Sequence, residues 1–271
     1  MVHNRFSCAW DEAVFGDGPR FSGERQVGTA LWRLNPTPAA TYEAFDRARG
    51  EHVWIRSYPN GASVVEYEYE TLRRLGLSAS CRHVLCVHDL FLGPSYVAFS
   101  AERLDGSTLR AHLGWPERDY PRLRSLLVQL VRALDVIHQS GSFHGDIRPE
   151  NVFVRPNQEV VLAGFAPFEW PQSIDSVFYE EIMFYETSDR GPAGDFYSIG
   201  ALLFEALTGG RTFEGTDALR RFFTGDPLPT IDISSIPPGA PDDLRRLCGA
   251  LLAPDPAERP SALEILGELD H

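Results

Sequence analysis

His144-Gly145-Asp146-Ile147-Arg148-Pro149-Glu150-Asn151 is the stretch that decides how this chain is read. An apolar run, Val160-Val161-Leu162, follows it, and then the triplet Gly164-Phe165-Ala166. Upstream, the segment from Arg122 to Gln139 carries Leu123, Leu126, Leu127, Leu130, Val131, Leu134 and Ile137. That i, i+3, i+4 stripe predicts a long helix buried along one side. Downstream, Phe196 to Leu207 is almost wholly apolar yet too short to span a membrane, which predicts a central core helix. The polar stretch is thus set between a helix and a strand.

Working outward, the chain changes character along its length. Residues Met1 to Gly28 are rich in Gly, Asp and Arg without a sustained period, and read as an extension. From Thr29 to about Ser100 the pattern is of short strands, with one helix between Ala62 and Leu75. From Gly106 onward helical periodicity dominates. Pro227, Pro229, Pro237 and Pro238 break the segment Asp217 to Asp242 into turns. A last helix begins near Ser261, which can cap it together with Glu264 three residues on. A strand-rich front and a helix-rich back without repeats predict an α+β, two-lobed architecture. Its parts are an extension over 1–28, a small β-rich lobe over 29–101 and a large helical lobe over 102–271.

With 271 residues and 43% apolar side chains the chain can bury a substantial core. A formal charge of -13 argues against a nucleic-acid or anionic-membrane surface. No run of about 18 apolar residues occurs, and the first residues, Met1 to Asp11, lack the apolar stretch of a signal peptide. The expected compartment is the cytoplasm. Cys8, Cys81, Cys86 and Cys248 form no metal-binding spacing and read as reduced, structural thiols. All 25 Lys+Arg residues are Arg, so no lysine is present for a catalytic role.

From about Gly28 onward the chain resembles a protein Ser/Thr kinase domain of bacterial type. The stretch His144 to Asn151 is similar to the family's catalytic loop, H-R-D-L-K-P-E-N. Val53-Trp54-Ile55-Arg56 stands where V-A-I-K is expected, and Glu68 takes the place of the helix C glutamate. Glu102, ahead of Leu104-Asp105-Gly106, looks like the hinge, with Ala101 as the gatekeeper. Glu186 replaces the glutamate of A-P-E, and Asp195-Phe196-Tyr197-Ser198-Ile199-Gly200 matches the central helix. Asp255-Pro256-Ala257-Glu258-Arg259-Pro260-Ser261 matches the end signature. The resemblance implies a buried Arg259–Glu186 pair. It also implies that Asp146 faces an acceptor hydroxyl, that Arg148 and Asn151 flank it, and that ATP and Mg²⁺ lie in the cleft.

Several departures weaken that chemistry. Leu34-Asn35-Pro36-Thr37-Pro38-Ala39 occupies the place of the Gly-rich loop, and prolines remove backbone donors that would face phosphates. Arg56 replaces the phosphate-gripping lysine, and its planar fork is a poor substitute for a point charge. Gly164 stands where the family's D-F-G has its metal carboxylate, leaving Asn151 as a single neutral oxygen for Mg²⁺. Trp54, in place of a small alanine, is expected to fill the adenine slot from above, with Phe153 approaching from below. Gly145, where the family has arginine, removes the usual partner of a phosphate on the activation segment.

The expected function is that of a pseudokinase, acting as a scaffold or allosteric regulator through a protein partner, with no cofactor and no metal. Alternatives left open are weak phosphotransfer through Asp146 with ATP and Mg²⁺, and a ligand sensor with a remodelled cleft. Asp146 and Asn151 persist either as braces of the loop or as working groups. The aromatic residues Phe165, Phe168, Trp170, Phe178, Tyr179, Phe184 and Tyr185 form either a partner surface or a segment folded into the cleft. The chain ends just past the last helix of the resemblance, which points to further domains fused to it or associated with it.

Overall fold

In β3 (Glu51–Pro59) the side chains alternate: Val53 and Ile55 are fully buried on one face, while Trp54 and Arg56 point to the other. This strand lies at the centre of a five-stranded antiparallel sheet. The other strands are β1 (Phe21–Ala30), β2 (Ala39–Asp46), β4 (Val87–Leu92) and β5 (Tyr96–Glu102), in the order β1-β2-β3-β5-β4. The computed structural model describes residues 20–30, 39–59, 62–76, 82–93, 96–112, 119–165, 191–210 and 231–270. The chain divides into two compact units. One holds this sheet and helix α1 (Ala62–Gly76), and the other holds Ser78–Val84 and everything from Asp105 onward.

The inner face of the sheet is a cluster of Phe21, Ala44, Val53, Ile55, Phe91 and Ala98, with Tyr42 packed against it. Phe21 of β1 and Phe91 of β4 meet ring to ring at 5.6 Å although their strands are the two outermost. Arg20 fastens the same junction. Its Nε and one terminal nitrogen donate to the two oxygens of Asp46 at 2.9 and 2.6 Å, and that nitrogen also donates to Asp89 at 2.6 Å. The guanidinium lies over both rings, 5.2 Å from Phe21 and 5.5 Å from Phe91. Asp46 is fully buried. Burial alone would raise its pKa, but hydrogen bonds from Arg20 and from the Ala48 N–H more than offset that and hold it below the ordinary carboxylate value. The first strand therefore begins at Phe21, inside the stretch 1–28 that the sequence marks as an extension. Its anchors lie 26 and 69 residues away, where local periodicity cannot register them.

Helix α1 covers the opposite face, burying Glu68, Leu72 and Leu75, with Tyr69 against Phe99 at 6.2 Å between ring centres. In the other unit, α2 (Tyr120–Gln139) buries every residue of the expected stripe, and Asp119 caps it by accepting from the Arg122 N–H. Helix α3 (Pro192–Thr208) is buried along nearly its whole length. It packs on α4 (Asp242–Leu251), where a side chain at Gly200 would lie 2.8 Å from Leu251 Cβ. Helix α5 (Ala262–Leu269) packs on α2 and starts with the expected capping box, Ser261 and Glu264 each bonding the other's backbone N–H.

Between these helices runs a small sheet, β6 (Ser107–Thr108), β7 (Val152–Val154) and β8 (Val160–Leu162). The segment that follows α1 joins this sheet. The Leu162 N–H donates to His83 O at 2.8 Å, and His83 Nδ1–H donates to Val160 O at 2.9 Å. A simple split of the sequence near residue 101 misses this, because residues 78–84 belong with the helical unit.

Candidate functional site

The loop His144–Asn151 follows α2 and leads into β7, held from below by α3. Asp195, in the first turn of α3, is buried, and its carboxylate accepts from the N–H groups of His144 and Gly145, both at 2.8 Å. His138 Nε2 of α2 lies 2.8 Å from the same carboxylate. Gly145 adopts the left-handed conformation, φ +75, which a glycine takes without strain.

His144 is fully buried, and its tautomer follows from its partners. Nε2–H donates to Ala163 O at 3.1 Å, while Nδ1 accepts from the Asp146 N–H at 3.2 Å. Its ring lies 4.4 Å from that of Phe165, which is itself fully buried and therefore a core residue rather than part of an exposed aromatic surface. Burial pushes the His144 pKa down to about 4. That value lies below the unfolded value of about 6.5, so the unfolded chain takes up the proton first. Stability is accordingly full above about pH 6.5 and lost as pH falls toward 4, by on the order of 3 kcal/mol for a shift of this size. His88 and His112 are also lowered, chiefly by burial, and add to the loss in the same direction. Urea unfolding between pH 7 and 4.5 should show this slope, and His144→Leu should flatten it; an unchanged slope in the variant would contradict the assignment.

Asp146, Asn151 and Gly164 meet in one place. Asn151 is only 8% exposed, and its Nδ2 donates both to Asp146 O at 2.9 Å and to Asp146 Oδ2 at 2.6 Å. Both partners are acceptors, which fixes the orientation of the amide. Arg148 Nε stands 3.5 Å from the same Asp146 oxygen. Gly164 is left-handed at φ +80, and a Cβ built on it would lie 2.6 Å from Asn151 Oδ1, 2.7 Å from Cγ and 2.9 Å from Nδ2. The amide thus occupies the volume that a side chain at residue 164 would require. Among the described residues, no group of three or more His, Cys, Asp or Glu side chains could hold a metal ion.

The sequence did not single out Arg110, which braces the loop from outside. Its N–H donates to Pro149 O at 3.2 Å, and its guanidinium bonds Glu150 and the buried Glu205 of α3, both at 2.7 Å. Partial burial opposes ionisation of Glu150, but the Arg110 hydrogen bond outweighs it and holds the carboxyl below its usual value. The signal available was Glu205, the single charge in the apolar run Phe196 to Leu207.

In the sheet-bearing unit, Arg56 donates to the fully buried Glu68 at 2.9 Å, so the expected strand-to-helix pair is formed. Trp54 is half-buried and stands directly opposite Ala101 in the β3–β5 register, which puts both on the face that carries Arg56. Glu102 turns its carboxylate onto the Cys86 N–H at 3.0 Å. Phe153, half-buried on β7, belongs to the other unit. Cys86 is exposed and Cys248 buried, both as free thiols, and burial pushes the Cys248 thiol up to about 12. Arg259 donates to Ala253 O and Ala193 O and lies 5.0 Å over the Tyr197 ring. Its expected partner Glu186, the segment 31–38 in place of the Gly-rich loop, and the aromatic residues from Phe168 to Tyr185 lie outside the described residues.

A family model described as protein kinase domain matches residues 39–269. The chain belongs to the protein kinase family. Its α+β architecture, β-rich before the hinge and helical after it, is that of the family. The mitogen-activated protein kinase mpkC of Aspergillus oryzae is 26% identical over 231 residues, covering 80% of this chain and 65% of that protein. The mitogen-activated protein kinase HOG1 of Candida albicans is 25% identical over 214 residues, covering 73% and 55%. HOG1 of Zygosaccharomyces rouxii is 26% identical over 203 residues, covering 70% and 47%. The chain spans about half to two thirds of the length of these relatives. They are fungal, and the match supports the kinase family without the bacterial branch that the sequence motifs suggested.

Proposed function

We propose that this protein kinase family domain is a pseudokinase, working through contacts with a protein partner rather than through phosphotransfer. The observation that carries the reading is the Asn151 amide packed against Gly164, with both of its protons given to Asp146. Phosphoryl transfer depends on positioned phosphates and on a divalent ion held by carboxylate oxygens. Here residue 164 brings no carboxylate, and the remaining ligand candidate is a neutral amide engaged with the carboxylate that would face the acceptor hydroxyl. Arg56 is engaged with a buried glutamate. Neither a metal nor a nucleotide cofactor belongs to this reading, and the proposed compartment is the cytoplasm.

Thermal unfolding with millimolar ATP and Mg²⁺ should leave the midpoint unchanged. Binding a hundredfold tighter than the ligand concentration would raise it by roughly 5–10 °C, and such a rise would overturn the reading. The retained Asp146 and the assembled Arg56–Glu68 pair favour a second reading, phosphotransfer to a protein serine or threonine. The relatives named as mitogen-activated protein kinases are in keeping with it. Transfer of label from the γ-phosphate of ATP to an acceptor protein, abolished by Asp146→Ala, would establish it.

A further inference from the structure

The missing carboxylate at residue 164 looks like a one-residue loss that one substitution could reverse. The packing around it points elsewhere. We infer that Asn151 and Gly164 form an interlock: the amide sits in the space left by the missing side chain at residue 164 while it holds Asp146, and a side chain at 164 must displace it. This deepens the pseudokinase reading and rests on it, since it concerns why the site does not take a divalent cation.

Three observations carry the inference. The first is steric. All three terminal atoms of Asn151 fall within 2.9 Å of a Cβ at residue 164, closer than real Cβ contacts occur. The amide is the end of a short side chain, and it is not loose. Its two hydrogen bonds to Asp146 and its burial hold it in place. The second concerns the backbone on both sides. The Asn151 N–H donates to Arg148 O at 2.9 Å within the loop, and the Ala163 N–H donates to Asn151 O at 3.0 Å, so the backbones at 151 and 163 cannot separate without breaking a bond. The third is that Ala163 O and Phe165 are both fixed to His144, which pins residue 164 from either side. Room for a side chain at 164 has to come first from the Asn151 side chain, and moving it lengthens or breaks its two hydrogen bonds to Asp146.

The interlock gives a coupling that a double-mutant cycle reads without nucleotide or metal. Gly164→Ala adds only the Cβ, and Asn151→Ala removes the amide. Backbone strain at φ +80 enters both arms equally and cancels. Each single variant should lower the thermal midpoint. In the Asn151→Ala background, the further loss caused by Gly164→Ala should be less than half of that in the parent. Equal losses in the two backgrounds would overturn the interlock. Gly164→Asp, if folded, should show no rise in midpoint on adding Mg²⁺ or Mn²⁺, and a rise would overturn it as well. The two claims fail separately: binding of Mg·ATP by the parent defeats the pseudokinase reading, whereas additivity in the cycle defeats only the interlock.

Discussion

Replacing Asp195 by Ala should destabilise the protein by about 3–5 kcal/mol, as loss of a buried hydrogen-bonded charge does. The buried carboxylate receives the N–H groups of buried His144 and of exposed Gly145, and at His144 water cannot take its place. The orphaned His144 N–H alone costs about 1–3 kcal/mol, and the contact with His138 is lost besides. Asp195→Asn keeps one acceptor oxygen and should fall between the parent and Asp195→Ala. Urea unfolding followed by far-ultraviolet dichroism measures the difference. A loss under about 1 kcal/mol in Asp195→Ala would mean that the loop is held by other contacts.

A loss of similar size, about 3–5 kcal/mol, is expected for Arg20→Ala. Asp46 would stay buried with only the Ala48 and Arg49 N–H groups as donors, at 2.9 and 3.3 Å. The guanidinium would no longer cover Phe21 and Phe91. Pairing Arg20→Ala with Asp46→Asn should recover part of the loss, because the second change removes the uncompensated charge while keeping most of the shape. The pH dependence adds a check. In the parent the Asp46 pKa is lowered, so the ion pair stabilises above the unfolded carboxylate value and fades as pH falls through the folded one. The gap between Arg20→Ala and the parent should therefore narrow in acid. A gap that is constant with pH would show that packing on the rings, not charge, dominates.

What the sequence made legible was local or carried by ordered motifs. The stripe of α2, the apolar run of α3 and the Ser261–Glu264 capping box each depend on residues within a few positions of one another, and each element formed where expected. The substitutions at 56 and 164 could be read directly, as could the Arg56–Glu68 pair. What escaped is non-local. Arg20 reaches Asp46 and Asp89 across the sheet, Arg110 reaches Glu205 across 95 positions, and His83 and Val84 pair with Leu162 of β8. No periodicity records such contacts. At residue 164 the identity of the glycine was plain, but what fills its space depended on the rotamer of Asn151 and on a backbone angle.

The family match starts at residue 39, and a researcher trimming the protein to its homologous part would cut there. Such a fragment would begin at β2 and discard β1 together with Arg20 and Phe21. The strand Ala39–Asp46 would become an edge, its N–H and C=O groups released from β1 and open to pairing with a second copy. The cluster around Val53 and Phe91 would lose Phe21 on that same side, leaving apolar surface next to the open edge. An edge strand beside exposed apolar surface is the arrangement that aggregates. The contact between the two outermost strands thus decides where this domain can be cut: the boundary that homology suggests and the boundary that keeps the protein monodisperse differ by some twenty residues, and only the second lies ahead of Arg20.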